Sequence, residues 1–492
     1  MRPSRHHVIL ISVIAVAAAT MATVAAFLPA TSGARPTLTD IVTAPQSTTV
    51  PSRPTGAVAQ AVQAAQTAAS IARPITSGGV TQPITCAWPV ESTPVKANVA
   101  YPDSNATYWT TPFIAQEGMT ITLKGTFPTA RFFSFVVYNS AGQDFTTNGI
   151  PSSLTDYQMV PDPGTQNPWV TAGAAAGTYS VTLMNGVTSG MANAIPLMPS
   201  TPSTPLLKGI PAVTGFVTMR VYLPANNDAN AIPLPTMTIS TDNGAKVTTL
   251  KQCASAQTTP SMKTQVTKAA ISKMLTQALA GKVGTPSTTS GACSASLVFC
   301  KAGGSTTPFP NSDSGYVAAR YQPADGYVTV VKAKMPKSAT AYGNGPGVWP
   351  ASGINLRYWS FCNYVYAVPY PVVTVGPIMG CTADQDMPLV NGTATVVISS
   401  LKDRPVSTLG SKAKVGWLPT SPTNTTAEEV IAIRNMLAAP TFTQSVMNAQ
   451  NSNQASAQST MGPYYPSGVQ CTTATFTKGG VAGCFKNPAS PS

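Results

Sequence analysis

The segment YPDSNATYWTTPFIAQEGMTITLKGTFP, residues 101–128, aligns without a gap to FPNSDSGYVAARYQPADGYVTVVKAKMP, residues 309–336. Six positions are identical: Pro102 and Pro310, Ser104 and Ser312, Tyr108 and Tyr316, Gly118 and Gly326, Lys124 and Lys332, Pro128 and Pro336. After an insertion in the second copy the match resumes, with RFFSFVVY (131–138) against RYWSFCNY (357–364). Asp156 and Met159 then pair with Asp384 and Met387, and Gly177, Thr178 and Val181 with Gly392, Thr393 and Val396. Finally FVTMRVYL (216–223) pairs with VIAIRNML (430–437). Blocks that keep their order imply an internal duplication of a unit of about 150 residues, an ordinary domain size.

The repeated unit has the signature of β-structure. Met119 to Lys124 alternates with the period of two of a half-buried strand, and RFFSFVVY is aromatic and β-branched. GTYSVTL and FVTMRVYL follow the same pattern, with Gly, Pro, Asn and Asp between them. Short strands without intervening helices predict a mainly β chain of two tandem homologous antiparallel sandwich or jelly-roll-like modules. Between them Met262, Val266, Ala270, Met274, Ala278 and Leu279 recur at helical spacing, so a connecting amphipathic helix is expected from Ser261 to Leu279.

The ends of the chain set its compartment. Arg2 and Arg5 precede an uncharged apolar run from Val8 to Leu28, followed by small residues at 30–34. That is the layout of an export signal, and the run is also long enough for a membrane anchor. Removing residues 1–34 takes away two arginines and no acidic residue, so the net charge falls from +13 to +11. The cations are scattered; the densest group, Lys402, Arg404, Lys412 and Lys414, fits a solvated loop or attraction to an anionic cell surface. No nucleic-acid partner is expected, because phosphate binding needs clustered cations with interleaved aromatics.

The eight cysteines point to disulfides in an exported chain. There is no C-x-x-C, and both histidines, His6 and His7, lie in the signal, so neither a metal nor a cofactor is expected. Proximity suggests Cys293 with Cys300, Cys362 with Cys381, and Cys471 with Cys484, leaving Cys86 to close the first module with Cys253. The expected organisation is a signal (1–34), a low-complexity stalk (35–85) with a weak Ala-rich helix near Val58 to Ala72, a first sandwich (86–258), a linker (259–300), a second sandwich (301–450) and a Cys-containing tail (451–492).

The second module carries LRYWSFC, CTADQDMPLVNGTATVVIS, DRP at 403–405, GWLP at 416–419 and IAIRNMLAAPTF. On these motifs, roughly residues 86–450 resemble a family of uncharacterised exported bacterial proteins with an R-x-W-S and W-L-P pattern. The resemblance implies a β-sandwich and no mechanism.

Candidate sites follow from matched positions. Arg131, Ser134 and Tyr138 correspond to Arg357, Ser360 and Tyr364, but Arg and Ser differ in parity and face opposite sides of a regular strand. A serine nucleophile would find no histidine base in the mature chain; Ser411 and Lys414 match S-x-x-K without its companion motifs. Glu91, Glu117, Glu428 and Glu429 are the only glutamates. Asp156 is expected to pair with Arg131 or Arg220, and Asp384 with Arg357 or Arg434. A ligand pocket in the second copy would use Arg357, Asp384, Asp386 and Arg404. Asp103 and Asn105, matched by Asn311 and Asp313, suit turn capping better than Ca²⁺ binding. Trp109, Trp169, Trp349, Trp359 and Trp417 are candidates for stacking on sugars, although Trp359 on the RYWSF strand and Trp417 before Leu-Pro read as core and loop-anchor residues.

These features favour a non-enzymatic envelope, periplasmic or secreted protein that binds an envelope or extracellular partner, such as a glycan. The alternative is a carboxylate- or Ser/Lys-dependent hydrolase or lyase acting on extracellular polymers.

Overall fold

The computed structural model describes residues 76–77, 80–82, 84–96, 98–203, 211–253, 292–302, 309–367, 370–410, 412–422 and 427–491. The expected signal, both expected helices and Ser411 lie outside these residues. Among the described residues no helix is long and apolar enough to cross a membrane.

The chain is mainly β, and most of its strands pair antiparallel. In the first half the strands are β1 (Val90–Ser92), β2 (Ala106–Ile114), β3 (Thr120–Thr126), β4 (Ala130–Tyr138), β5 (Ser153–Thr155), β6 (Thr178–Met184), β7 (Ala194–Pro196), β8 (Thr214–Pro224), β9 (Thr236–Thr241) and β10 (Lys246–Leu250). They form an inner sheet in the order β1-β2-β8-β4-β5 and an outer sheet in the order β7-β6-β3-β9-β10.

The second half contains β11 (Cys300–Ala302), β12 (Ser314–Tyr321), β13 (Tyr327–Lys334), β14 (Leu356–Val365), β15 (Cys381–Ala383), β16 (Leu389–Val390), β17 (Thr393–Ser399), β18 (Gly416–Pro419), β19 (Glu429–Ala438) and β20 (Ser467–Thr472). Its inner sheet runs β11-β12-β19-β14-β15; its outer sheet runs β16-β17-β13-β20, with β18 beside β17. Two short helices, α1 (Gln454–Met461) and α2 (Thr473–Lys486), flank β20.

Strand order and register repeat between the halves. Tyr108 lies opposite Arg220 as Tyr316 lies opposite Arg434. Ser134 and Ser360 face those same arginines on the next strand. In the outer sheets Lys124 pairs with Ser180, and Lys332 with Thr395. Even the exceptions to antiparallel pairing correspond: β7 runs parallel to β6, and β18 parallel to β17.

The four sheets are layered, with the two inner sheets in the middle. Phe133, Phe135 and Val137 of β4 pack with Ile121, Leu123 and Tyr179 inside the first half. Phe132, on the opposite side of the strand, packs with Tyr222, which in turn meets Tyr358 of the second half at 5.5 Å. Every residue of β4, β8 and β14 is therefore buried. A strand covered on both faces needs no polar alternation, which is why RFFSFVVY lacks it.

Two boundaries differ from the sequence-based expectation. Strand β20 pairs with β13, so the C-terminal segment belongs to the second half and is not a tail beyond residue 450. Its strand is short and polar, and the backbone ladder to β13, not an apolar pattern, places it there. Likewise Gln82, within the expected stalk, exchanges hydrogen bonds with the backbone of Ile114. All four disulfides form as expected: Cys86–Cys253, Cys293–Cys300, Cys362–Cys381 and Cys471–Cys484. No described cysteine is free.

Candidate functional site

The matched charged residues converge where the two inner sheets meet. Arg131 and Arg357 are each the second residue of a strand, β4 and β14. Asp156 and Asp384 each follow the edge strand paired to it, β5 and β15. Each aspartate also stays tied to its own half: the Asp156 carboxylate accepts from the Phe133 amide at 3.0 Å and the Tyr157 amide at 2.6 Å, while the Asp384 backbone amide donates to the Trp359 carbonyl at 3.0 Å.

The guanidinium comes from the other half. Arg131 Nη1 lies 3.2 Å from Asp384 Oδ2, and Arg357 Nη1 lies 3.3 Å from Asp156 Oδ2, with all four side chains fully enclosed. This corrects the expectation of ion pairs within each copy. The physical reason is the docking of the sheets, which brings the start of each β-strand against the far half and leaves each arginine closer to the foreign carboxylate.

The insertion at residues 337–355 completes the clasp. Arg131 Nε donates to the Gly343 carbonyl, and Arg131 Nη2 donates to Gln385 Oε1 at 2.7 Å. Arg357 Nη1 donates to the Arg131 carbonyl at 3.1 Å, and its guanidinium lies 5.0 Å from the Trp349 ring. The Trp349 amide donates to Trp169 of the first half, and Asn344 Nδ2 donates to the Pro224 carbonyl. The insertion lies between two matched strands, as its Gly, Asn and Pro content suggests, and its contacts fasten one half to the other.

Burial governs the electrostatics. It pushes the Asp156 carboxyl up to about 6, against Arg357 and the Phe133 and Tyr157 amides, which act the other way. Asp384 is raised for the same reason, opposed by Arg131, and burial pulls the Arg357 guanidinium below its ordinary value. Enclosed ion pairs recover little net stability after desolvation, so this arrangement is better suited to fixing how the halves dock than to adding strength.

A second crossing set lies between the same sheets. Arg434 Nε is 3.3 Å from Asp103 Oδ2, and its Nη1 donates to Tyr222 Oη at 2.6 Å. Asp103 Oδ2 also accepts from Ser360 Oγ at 2.7 Å and Tyr358 Oη at 3.0 Å. Arg220 points the other way: it donates to Tyr138 Oη and to the Phe309 and Pro310 carbonyls. Half-buried Asp313, pushed up to about 6 by burial, feels the opposing field of Arg220. The exchange of Asp and Asn between the copies, Asp103 and Asn105 against Asn311 and Asp313, was the sequence signal for this set. As expected, these residues cap turns: Asp103 Oδ1 accepts from the Asn105 amide and Asn311 Oδ1 from the Asp313 amide, both at 3.0 Å.

The four residues assigned to a pocket are divided among different environments. Arg357 and Asp384 belong to separate crossing pairs. Asp386 is exposed, with a carboxyl raised by partial burial against the field of Arg131. Arg404 lies in the connection between β17 and β18, where it donates to Thr408 Oγ1 and O at 3.2 Å and stacks 4.3 Å from the Trp417 ring. Ser360 is enclosed and held by Asp103, while Lys414 is exposed. Trp109, Trp169, Trp349 and Trp359 are buried; Trp417 keeps partial exposure. Among the described residues Asp103, Cys362 and Cys381 form a donor cluster, but the two sulfurs are bonded to each other and offer no thiolate.

No family model and no curated protein matches this chain. Among solved structures, an uncharacterised protein from Burkholderia cenocepacia shares 12% identity over 78% of this chain and 81% of its own, with a TM-score of 0.42. The VPA0106 protein from Vibrio parahaemolyticus shares 9% identity over 75% of this chain and 90% of its own, with a TM-score of 0.33. Likeness at these levels transfers no activity.

A further polar group separates the two halves. Glu429 Oε2 accepts from Tyr321 Oη at 2.7 Å and Asn363 Nδ2 at 2.6 Å, and Oε1 accepts from the Ser421 amide at 2.6 Å. Gly215, Phe113 and Val137 occupy the corresponding register positions in the first half. Sequence reasoning passed over this triad, although Glu429 in an otherwise apolar strand was the available signal.

Proposed function

We propose that this chain is an exported, non-catalytic envelope or secreted protein, in which two homologous sandwich modules are locked face to face into one rigid body that presents its outer surfaces to a partner. The observation that carries this reading is the use of the duplicated Arg, Asp and Ser residues. Arg131, Arg357, Asp156 and Asp384 are consumed in enclosed crossing pairs, and Ser360 is held by Asp103. Charged groups spent on each other in the interior make an architecture rather than a reaction centre.

The repeated register supports descent of the halves from one duplicated module. Four disulfides suit an oxidising compartment, consistent with residues 1–34 acting as an export signal. Trp417 with Arg404 is the aromatic platform through which a glycan partner would stack.

The test is a turnover screen of the folded protein against glycans, esters and peptides, run beside a glycan array. Binding without turnover is expected, with the array signal falling on Trp417→Ala. Turnover that disappears in Asp386→Asn, the accessible acidic member of the predicted set, would overturn the proposal.

A further inference from the structure

The exposed apolar side chains are concentrated in one stretch of the chain. Of eight large hydrophobic residues exposed among the described residues, five fall between 389 and 409: Leu389, Val390, Leu401, Val406 and Leu409. Val406 is the extreme case at 81% exposure. Topology sets them out as a ribbon along one edge of the outer sheet, with Leu389 and Val390 beside the start of β17 and Leu401 just past its end. Strands β16 and β18 both pair with β17, and Gly416 lies against the Met387 sulfur, two residues before Leu389. The connection from β17 to the parallel β18 runs back along the sheet carrying Leu401, Val406 and Leu409.

The same connection carries Lys402, Arg404, Lys412 and Lys414, with Asp403 as its sole carboxylate. Asp403 is turned inward, accepting from the Gly326 amide at 2.9 Å and Ser400 Oγ at 2.8 Å. Lys402 pairs on the surface with Asp325, whereas Lys412 and Lys414 project into solvent. The clamp of Arg404 on Thr408 and Trp417 holds the short turn that displays Val406.

We propose that this ribbon docks on an anionic lipid bilayer, lysines at the headgroups and Val406 with Leu409 entering the acyl boundary. Aliphatic groups exposed among cations fit an interface with one apolar and one anionic layer. A soluble polyanion would match the lysines and leave Val406 without a purpose. This inference goes beyond the glycan reading and shares with it only the Arg404–Trp417 contact that holds the turn.

A nitroxide attached at Val406→Cys in the full chain reports the ribbon itself, whatever the N-terminal segment does. Phosphatidylcholine vesicles with about one-third phosphatidylglycerol should shield the label from a water-soluble relaxant and open it to oxygen. Pure phosphatidylcholine should not. Lys412→Gln with Lys414→Gln should weaken the vesicle partition coefficient by about fivefold per lysine. A label that stays water-accessible on anionic vesicles overturns the proposal. So does equal protection by soluble polyphosphate, which would identify a polyanion site instead.

Discussion

Arg131 and Asp384, separated by 253 positions in the chain, form a fully enclosed ion pair across the junction of the two inner sheets. Arg357 and Asp156 form its counterpart in the opposite sense. Each half thus supplies one guanidinium and one carboxylate to the pairs, and separating the halves would break both of them. The two halves are thereby coupled through their inner sheets.

That coupling is measurable by urea denaturation of a double-mutant cycle. Asp384→Ala should cost about 3 to 5 kcal/mol, because it leaves Arg131 buried without a counter-ion. Adding Arg131→Ala should cost much less than a second such loss, giving a large coupling energy. The control pair Arg131→Ala with Asp156→Ala should couple more weakly. A stronger coupling in the control would mean that the pairs form within each half.

Stability should fall as the solution is brought from mild acid to neutrality. Asp156 and Asp313 titrate near 6 in the folded protein, raised by burial from an ordinary 3.8. Between those values the folded state holds more protons than the unfolded one, so their contribution is full below the unfolded value and is lost as pH rises through about 6. Asp384 and Glu429 are raised in the same direction. Denaturant midpoints should be higher at about pH 5 than at about pH 7.5, and Asp313→Asn should flatten the difference. A midpoint that rises steadily towards neutrality would contradict the assignment.

Much of this architecture was legible because strands and turns are local. The aligned blocks occupy equivalent places in the two halves, and the disulfides join cysteines that proximity or the closure of a half already linked. The choice of ion-pair partner was not legible. Two copies with the same residues at the same positions give equal support to pairing within and between copies, and only docking decides. A signal for docking was present nonetheless: Arg131 to Tyr138 lacks the alternation of a strand with one wet face. Arg404 is expected in a pocket with Asp384, but the connection between β17 and β18 carries it to a different partner, Trp417.

Glu429 is enclosed with no cation beside it among the described residues, and its carboxyl is raised by burial, against the Ser421 amide, Tyr321 hydroxyl and Asn363 amide that bond it. In the first half the same register positions hold Gly215, Phe113 and Val137, and the Phe113 ring lies where a side chain on residue 215 would be. One half therefore fills this corner with an aromatic ring over a glycine, and the other with a hydrogen-bonded carboxyl. Glu429→Gly alone should cost more than the triple change Glu429→Gly, Tyr321→Phe and Asn363→Val. The single change leaves a buried polar corner one acceptor short, with the Tyr321 hydroxyl reduced to Asn363 Oδ1 and the Asn363 amide to the Pro419 carbonyl, and the Ser421 amide unpaired from its carboxylate, whereas the triple change removes the hydroxyl and the amide together with the carboxyl. The Ser421 amide and Pro419 carbonyl lose their partners in the triple variant, so recovery should be partial. Thermal unfolding of the two variants decides the matter: a triple variant less stable than the single one would show that the two corners are not alternative solutions to the same packing problem.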